Sequence, residues 1–169
     1  MKNVRTFAGI LALFWMCIIF AFSAQEKEES SEVSEAISYR MVNSTGILFH
    51  LHLDEEQIRE IAGAIENTVR KAAHMTEFGI LSILFYIWLG KWQFGVRKRG
   101  ILSIVLSALY ACSDEFHQLF VAGRAGSIRD VMIDSAGAVL GLALFMLVKM
   151  LIGHIVSRRR MQSGQEAKG

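Results

Sequence analysis

Four apolar runs alternate with charged stretches along this chain. The first, 7–24, carries no charge and follows Arg5. At a helical rise of ~1.5 Å per residue it reaches about 27 Å, close to the thickness of a bilayer core. A second run, 69–89, is uncharged from Phe78 onward and ends near Trp88 and Trp92, which suit an aromatic belt. The third, 101–121, is apolar until Asp114, and the fourth, 128–155, opens with Asp130 and Asp134 and is then apolar to Leu147. The pattern predicts an all-α protein, a multi-pass membrane helical bundle of about four transmembrane helices.

A polar stretch, 25–68, separates the first two runs. It opens with Glu26, Glu28, Glu29, Glu32 and Glu35. Val33, Ala36, Ile37 and Met41 recur at helical spacing, so a short amphipathic helix is expected there. Asn43, Ser44 and Gly46 read as a turn. Asp54 is a good N-cap for a second amphipathic segment, with Ile58, Ile61, Ala62, Ile65 and Val69 on its apolar face. His50 and His52 alternate with leucines and suit a local strand or an interfacial face. The expected organisation is a first span or cleaved signal peptide over 1–24 and an extracytoplasmic amphipathic segment over 25–68. A three-helix membrane region over 69–156 and a basic cytoplasmic tail over 157–169 follow. The retained span is preferred because the run exceeds a usual signal core.

Charge adds an orientation. The net charge of +2 over 169 residues is too small to argue for nucleic acid. The positive residues instead cluster at Lys2 and Arg5, at Lys91 to Arg99, and in a tail with Arg158, Arg159, Arg160 and Lys168. The positive-inside rule puts these flanks, and both termini, in the cytoplasm. The 25–68 segment and the loop bearing Arg124 then lie outside. Cys17 and Cys112 sit inside apolar runs and read as small hydrophobes in helix packing. Gly137 and Gly141 stand four apart, a spacing that lets helices approach closely and could support a homodimer.

The candidate chemistry lies near the outer ends of the last three spans. His74 and Glu77 fall about 8 and 12 Å below Val69, and Asp114 and His117 about 10 and 6 Å below Val121. Asp130 and Asp134 fall about 3 and 9 Å below Ile128. Tyr110 is one turn below Asp114. A charge in hydrocarbon costs at least ~2.5 kcal/mol, so these groups must meet one another or line a wet cavity. Arg70, Lys71, Arg124 and Arg129 at the mouth could neutralise the acids or receive a phosphate or carboxylate. His74 and His117 are natural proton carriers, with Glu77, Asp114 and Glu115 to orient them or act as acid or base. The same groups could hold a divalent metal. An interhelical network of ion pairs remains the plain alternative.

Three stretches carry a family resemblance. Lys71-Ala72-Ala73-His74-Met75-Thr76-Glu77-Phe78 resembles the K-x-x-H-x-x-E-[FY] element of the VanZ-like family. Tyr110 to Arg124 resembles its Y-x-x-x-D-E-x-H-Q-x-F-V-P-G-R element, with Ala122 in place of Pro. Ser127-x-x-Asp130-Val131-x-x-Asp134-x-x-Gly137 resembles its third, and Ser23-Ala24-Gln25 is similar to the S-S-Q that follows the first span. The resemblance covers 69–141 well; residues 26–68 have no matching element. It implies a bacterial cell-membrane protein linked to the cell envelope or to teicoplanin-type glycopeptide resistance. The matched positions are His74, Glu77, Asp114, Glu115, His117, Gln118, Arg124, Asp130 and Asp134, and the resemblance assigns none of them a catalytic role. Three functions fit: a binder of a lipid-linked or cell-wall ligand, an intramembrane enzyme acting on such a ligand, or a structural, partner-binding subunit.

Overall fold

The computed structural model describes residues 2–166, with side chains described for 3–158. The side chains of Lys2, Arg159 and Arg160 lie outside this range, and Lys168 lies outside the described residues. Among the described residues there are five α-helices: α1 (Lys2–Ser23), α2 (Lys27–Leu48), α3 (Glu55–Leu89), α4 (Val96–Gln118) and α5 (Ile128–Glu166). A short 3-10 turn, Gly90–Trp92, leads from α3 toward α4. Among the described residues there is no strand. The structure is an all-α membrane helical bundle.

The long central helix, α3, packs against all four of the others. Asp54 starts it with a capping box: the Gln57 backbone N–H donates to Asp54 Oδ1 at 2.9 Å, and the Asp54 N–H donates to Gln57 Oε1 at 3.1 Å. Two of the four orphaned donors at a helix start are thereby satisfied or replaced by a defined bond. The 35 residues of α3 span about 52 Å, well beyond the about 30 Å of a hydrocarbon core. The boundary expected at Val69 thus falls inside one continuous helix, whose first half extends past the span and pairs with α2.

On the apolar half, Phe78, Leu81 and Phe85 of α3 meet Ala12 and Ile19 of α1 and Ala111 of α4 in one buried cluster. The α3–α5 seam is built on glycine. A Cβ on Gly137 would stand 2.6 Å from Met75 Cα, and one on Gly141 would meet the Gly79 backbone. Ser82 donates across this seam to the Ala138 carbonyl at 2.8 Å. The close approach expected of Gly137 and Gly141 is used within the chain, against α3. Outward-facing residues such as Phe7, Leu13, Leu140 and Leu144 are exposed, as lipid contact requires.

Among the described residues three helices are long and apolar enough to cross a membrane: Asn3–Ser23, Glu55–Trp92 and Ile128–Arg158. The fourth expected span, now α4, does not qualify on apolarity alone. Arg97, Lys98 and Arg99 at one end and Asp114 and Glu115 at the other dilute its apolar centre. It nevertheless packs against both α3 and α5.

Other expectations are corrected. Val33, Ile37 and Met41 of α2 are exposed, while Ser34, Ser38, Val42 and Gly46 are buried. Small residues let α2 lie close to Ile58 and Ala62 of α3. Ser34 and Ser38 can be buried because each hydroxyl donates one turn back, to the Ser30 and Ser34 carbonyls. Asn43, Ser44 and Gly46 lie within α2, not in a turn. The chain reverses after Phe49, where His50 takes a left-handed φ of 54°; His50 and His52 form no strand. Cys17 and Cys112 are exposed free thiols on the bundle surface, not packed between helices. That surface is apolar, so a small, weakly polar side chain is tolerated on it.

Candidate functional site

Helical spacing presents the site residues on common faces. Asn67, Arg70, Lys71 and His74 recur at three- and four-residue steps along α3, as do Glu115 and Gln118 at the end of α4 and Asp130 and Asp134 at the start of α5. These faces surround a cavity of about 220 Å³. Lys27 at the start of α2 and Arg124 in the loop between α4 and α5 complete its rim.

The loop is held down at several points. The Arg124 Nε–H donates to the Gln25 carbonyl at 2.9 Å, and the Lys27 backbone N–H donates to the Ala122 carbonyl at 3.4 Å. Gly123 has a φ of 71° and sits against Lys27, so a side chain there meets both strain and crowding. The Ser127 N–H donates to Glu115 Oε2 at 2.8 Å, tying the start of α5 to the end of α4. Lys71 pairs with Asp130 across the α3–α5 seam. Among the described residues it is the one ion pair that joins two helices.

Four cations, Lys27, Arg70, Lys71 and Arg124, and three acids, Glu115, Asp130 and Asp134, therefore line the same cavity. Burial, and then the positive charge of Arg70, pushes the Arg124 guanidinium below its ordinary value. Asp134 is 2% exposed, and its Oδ2 has no hydrogen-bond partner among the described residues.

The polar constellation divides into two parts. Lys71, His74, Glu115, Gln118, Arg124, Asp130 and Asp134 line the cavity. Asp114 instead faces α1: Ser23 donates to its Oδ2 at 2.9 Å, and Gln118 Nε2 donates to the Ser23 hydroxyl at 2.9 Å. Gln118 touches both parts. Tyr110 donates to the Met16 carbonyl at 2.6 Å, and the His117 ring lies 4.4 Å from that of Phe20. Glu77 is 3.9 Å from His74 Nδ1, beyond hydrogen-bond length, and its backbone carbonyl accepts from Trp15 Nε1. Tyr110, Asp114 and His117 thus belong to the α1–α4 seam, and no ion pair joins Asp114 to Arg124. Arg129 is exposed and lies outside the cavity lining.

Two polar lining residues escaped the sequence reading, Lys27 and Asn67. Lys27 is the lone cation among Glu26, Glu28 and Glu29, which was the available signal. Asn67 continues the helical step below Arg70 and Lys71. Among the described residues no three His, Cys, Asp or Glu side chains converge as a metal site requires. The alternative in which His74, His117 and their carboxylates hold a divalent metal finds no assembled ligand set there.

Fold and cavity define a helical membrane protein whose polar residues gather at one end of the bundle. A family model described as VanZ/LLP1 matches residues 8–149, and the chain belongs to that family. The matched stretch runs through 26–68, where the motifs had no counterpart. No curated protein and no solved structure matches the chain.

Proposed function

We propose that this VanZ/LLP1 family protein crosses a bacterial cell membrane four times and binds an anionic envelope ligand in its cavity at the outer leaflet. Its role would then be in the cell envelope, or in resistance to teicoplanin-type glycopeptides. The carrying observation is the rim of Lys27, Arg70, Lys71 and Arg124 around one cavity. Lys71 is paired with Asp130, whereas the Arg124 side chain spends its Nε on a carbonyl. Guanidinium and ammonium groups converging in a cavity with low-dielectric walls attract and orient an anion.

The orientation is supported by charge. Arg5, Lys91 and Arg97 to Arg99 lie at the bundle end opposite the cavity, as the positive-inside rule requires of a cytoplasmic face. The fourth crossing in this reading is α4, which packs against α3 and α5 and carries its charges near its two ends.

Calorimetry on the purified protein tests the reading, with a short-chain phosphate lipid, a lipid-linked cell-wall precursor and teicoplanin as probes. At least one should bind in a salt-dependent manner, and Arg124→Gln should weaken it about tenfold, as loss of one charged hydrogen bond implies. Absence of binding by all three would overturn it.

A second reading, an intramembrane enzyme, draws on Asp114 Oδ1 and His117 Nε2. Both are buried and without a hydrogen-bond partner among the described residues. An altered lipid profile in cells lacking the protein would favour this reading. An unchanged profile would leave the binder.

A further inference from the structure

The cavity is bipolar, and this restricts what can fill it. Its volume of about 220 Å³ is below the about 300–1,000 Å³ common for drug-sized ligands, so a headgroup fits better than a whole antibiotic. Lys27, Arg70 and Arg124 come from α2, α3 and the loop. The acids Glu115 and Asp134 come from α4 and α5, and both are buried.

The carboxylates lining the cavity are not equivalent. Glu115 accepts from the Ser127 N–H, and Asp130 takes Lys71. Asp134 lies one turn below Asp130 and lines the same cavity, and its buried Oδ2 accepts from nothing among the described residues. A buried acceptor left unfilled costs about 1–3 kcal/mol, more when charged. A donor on the ligand would remove that cost.

We infer that the ligand is zwitterionic, a phosphoethanolamine-type headgroup whose phosphate lies among Arg70, Arg124 and Lys27 and whose ammonium donates to Asp134. The inference rests on reading the cavity as an anion site, and adds to it the cationic half. A purely anionic headgroup would leave Asp134 unfilled and face Glu115 with like charge. A simple quaternary amine would waste the rim. The ammonium supplies three donors to a wall of acceptors, and the phosphate supplies acceptors to a rim of donors. Binding is reversible, and no bond is made or broken.

The test is calorimetry on the full-length protein in detergent, with three dihexanoyl lipids. These carry phosphoethanolamine, N-acetyl-phosphoethanolamine and phosphoglycerol. Wild type should bind the first about tenfold or more tightly than the other two, as expected for one charged hydrogen bond. Asp134→Asn, which keeps the shape of the side chain, should erase this preference, with helical circular dichroism reporting that the variant is folded. Equal wild-type affinity for the phosphoethanolamine lipid and its N-acetyl form overturns the inference while leaving the anion site intact, and needs no variant. A preference unchanged in Asp134→Asn also overturns it. Failure of all three lipids to bind removes the anion site itself. Free phosphoethanolamine separates a soluble ligand from a lipid one, and equal or weaker binding of it than of the lipid is compatible with the inference.

Discussion

Ser23 of α1 and Asp114 of α4, 91 positions apart in the chain, share a buried hydrogen bond of 2.9 Å. Ser23 is wholly buried and also accepts from Gln118, so one hydroxyl joins the end of the first helix to the last turn of the fourth. Asp114 has a second, unpartnered oxygen, which makes this hydroxyl and the Gln118 amide its known supports among the described residues.

Removing that hydroxyl should therefore matter. Ser23→Ala is expected to destabilise the protein by about 1–2 kcal/mol, the range for an interhelical bond whose loss leaves a buried acceptor. Thermal unfolding in detergent measures it. An unchanged Tm would mean that Asp114 does not depend on Ser23.

The glycine seam makes a contrasting pair. Gly137→Ala places a methyl against the Met75 backbone, which cannot rotate away, so a loss of about 1–3 kcal/mol is expected. Gly153 has nothing within 4 Å of an added Cβ. Gly153→Ala should be neutral or stabilising, by up to about 1 kcal/mol, through helix propensity. Unfolding of the two variants side by side checks the difference, and equal effects would mean that the seam is looser than described.

Lys71 and Asp130 should behave as a coupled pair. Lys71→Asp or Asp130→Lys alone leaves like charges facing each other across α3 and α5. The double exchange should recover part of the loss, with a coupling of about 0.2–1 kcal/mol because both side chains are about one-third exposed. A double-mutant cycle on unfolding measures this. Strict additivity would show that the pair contributes nothing.

Orientation is open to labelling. Cysteines at Ser44 and at Ser157, each introduced with Cys17 and Cys112 replaced by alanine, give two exposed reporters. A membrane-impermeant maleimide should label Ser44→Cys in intact cells and Ser157→Cys after permeabilisation. The reverse pattern would put the cavity at the cytoplasmic face and remove the outer-leaflet reading.

Much of this was legible in the chain itself because it depends on local spacing. The apolar runs predicted helices near α1, α3, α4 and α5, and Asp54 marked the start of a helix through its own capping bond. Residues three or four apart share a face whatever the helix packs against, so His74 with Glu77, and Asp130 with Asp134, were expected together; His74, Asp130 and Asp134 line the cavity, and Glu77 does not. The burial of α2 was not legible, because Val33, Ile37 and Met41 look like a core face. Backbone closeness at Ser34, Ser38 and Gly46 decided otherwise.

Sequence by itself determined a helical membrane protein with its ionisable groups gathered toward one end, since hydropathy and periodicity act over a few turns of one helix. Tertiary structure alone decided which of those groups share a cavity. It turned Asp114 and His117 toward α1, left Asp134 facing the cavity, and brought Lys27 to its rim. Those outcomes depend on how each helix is rotated and where it crosses its neighbours. The seams of small residues between helices set that geometry, and no single stretch of chain encodes it.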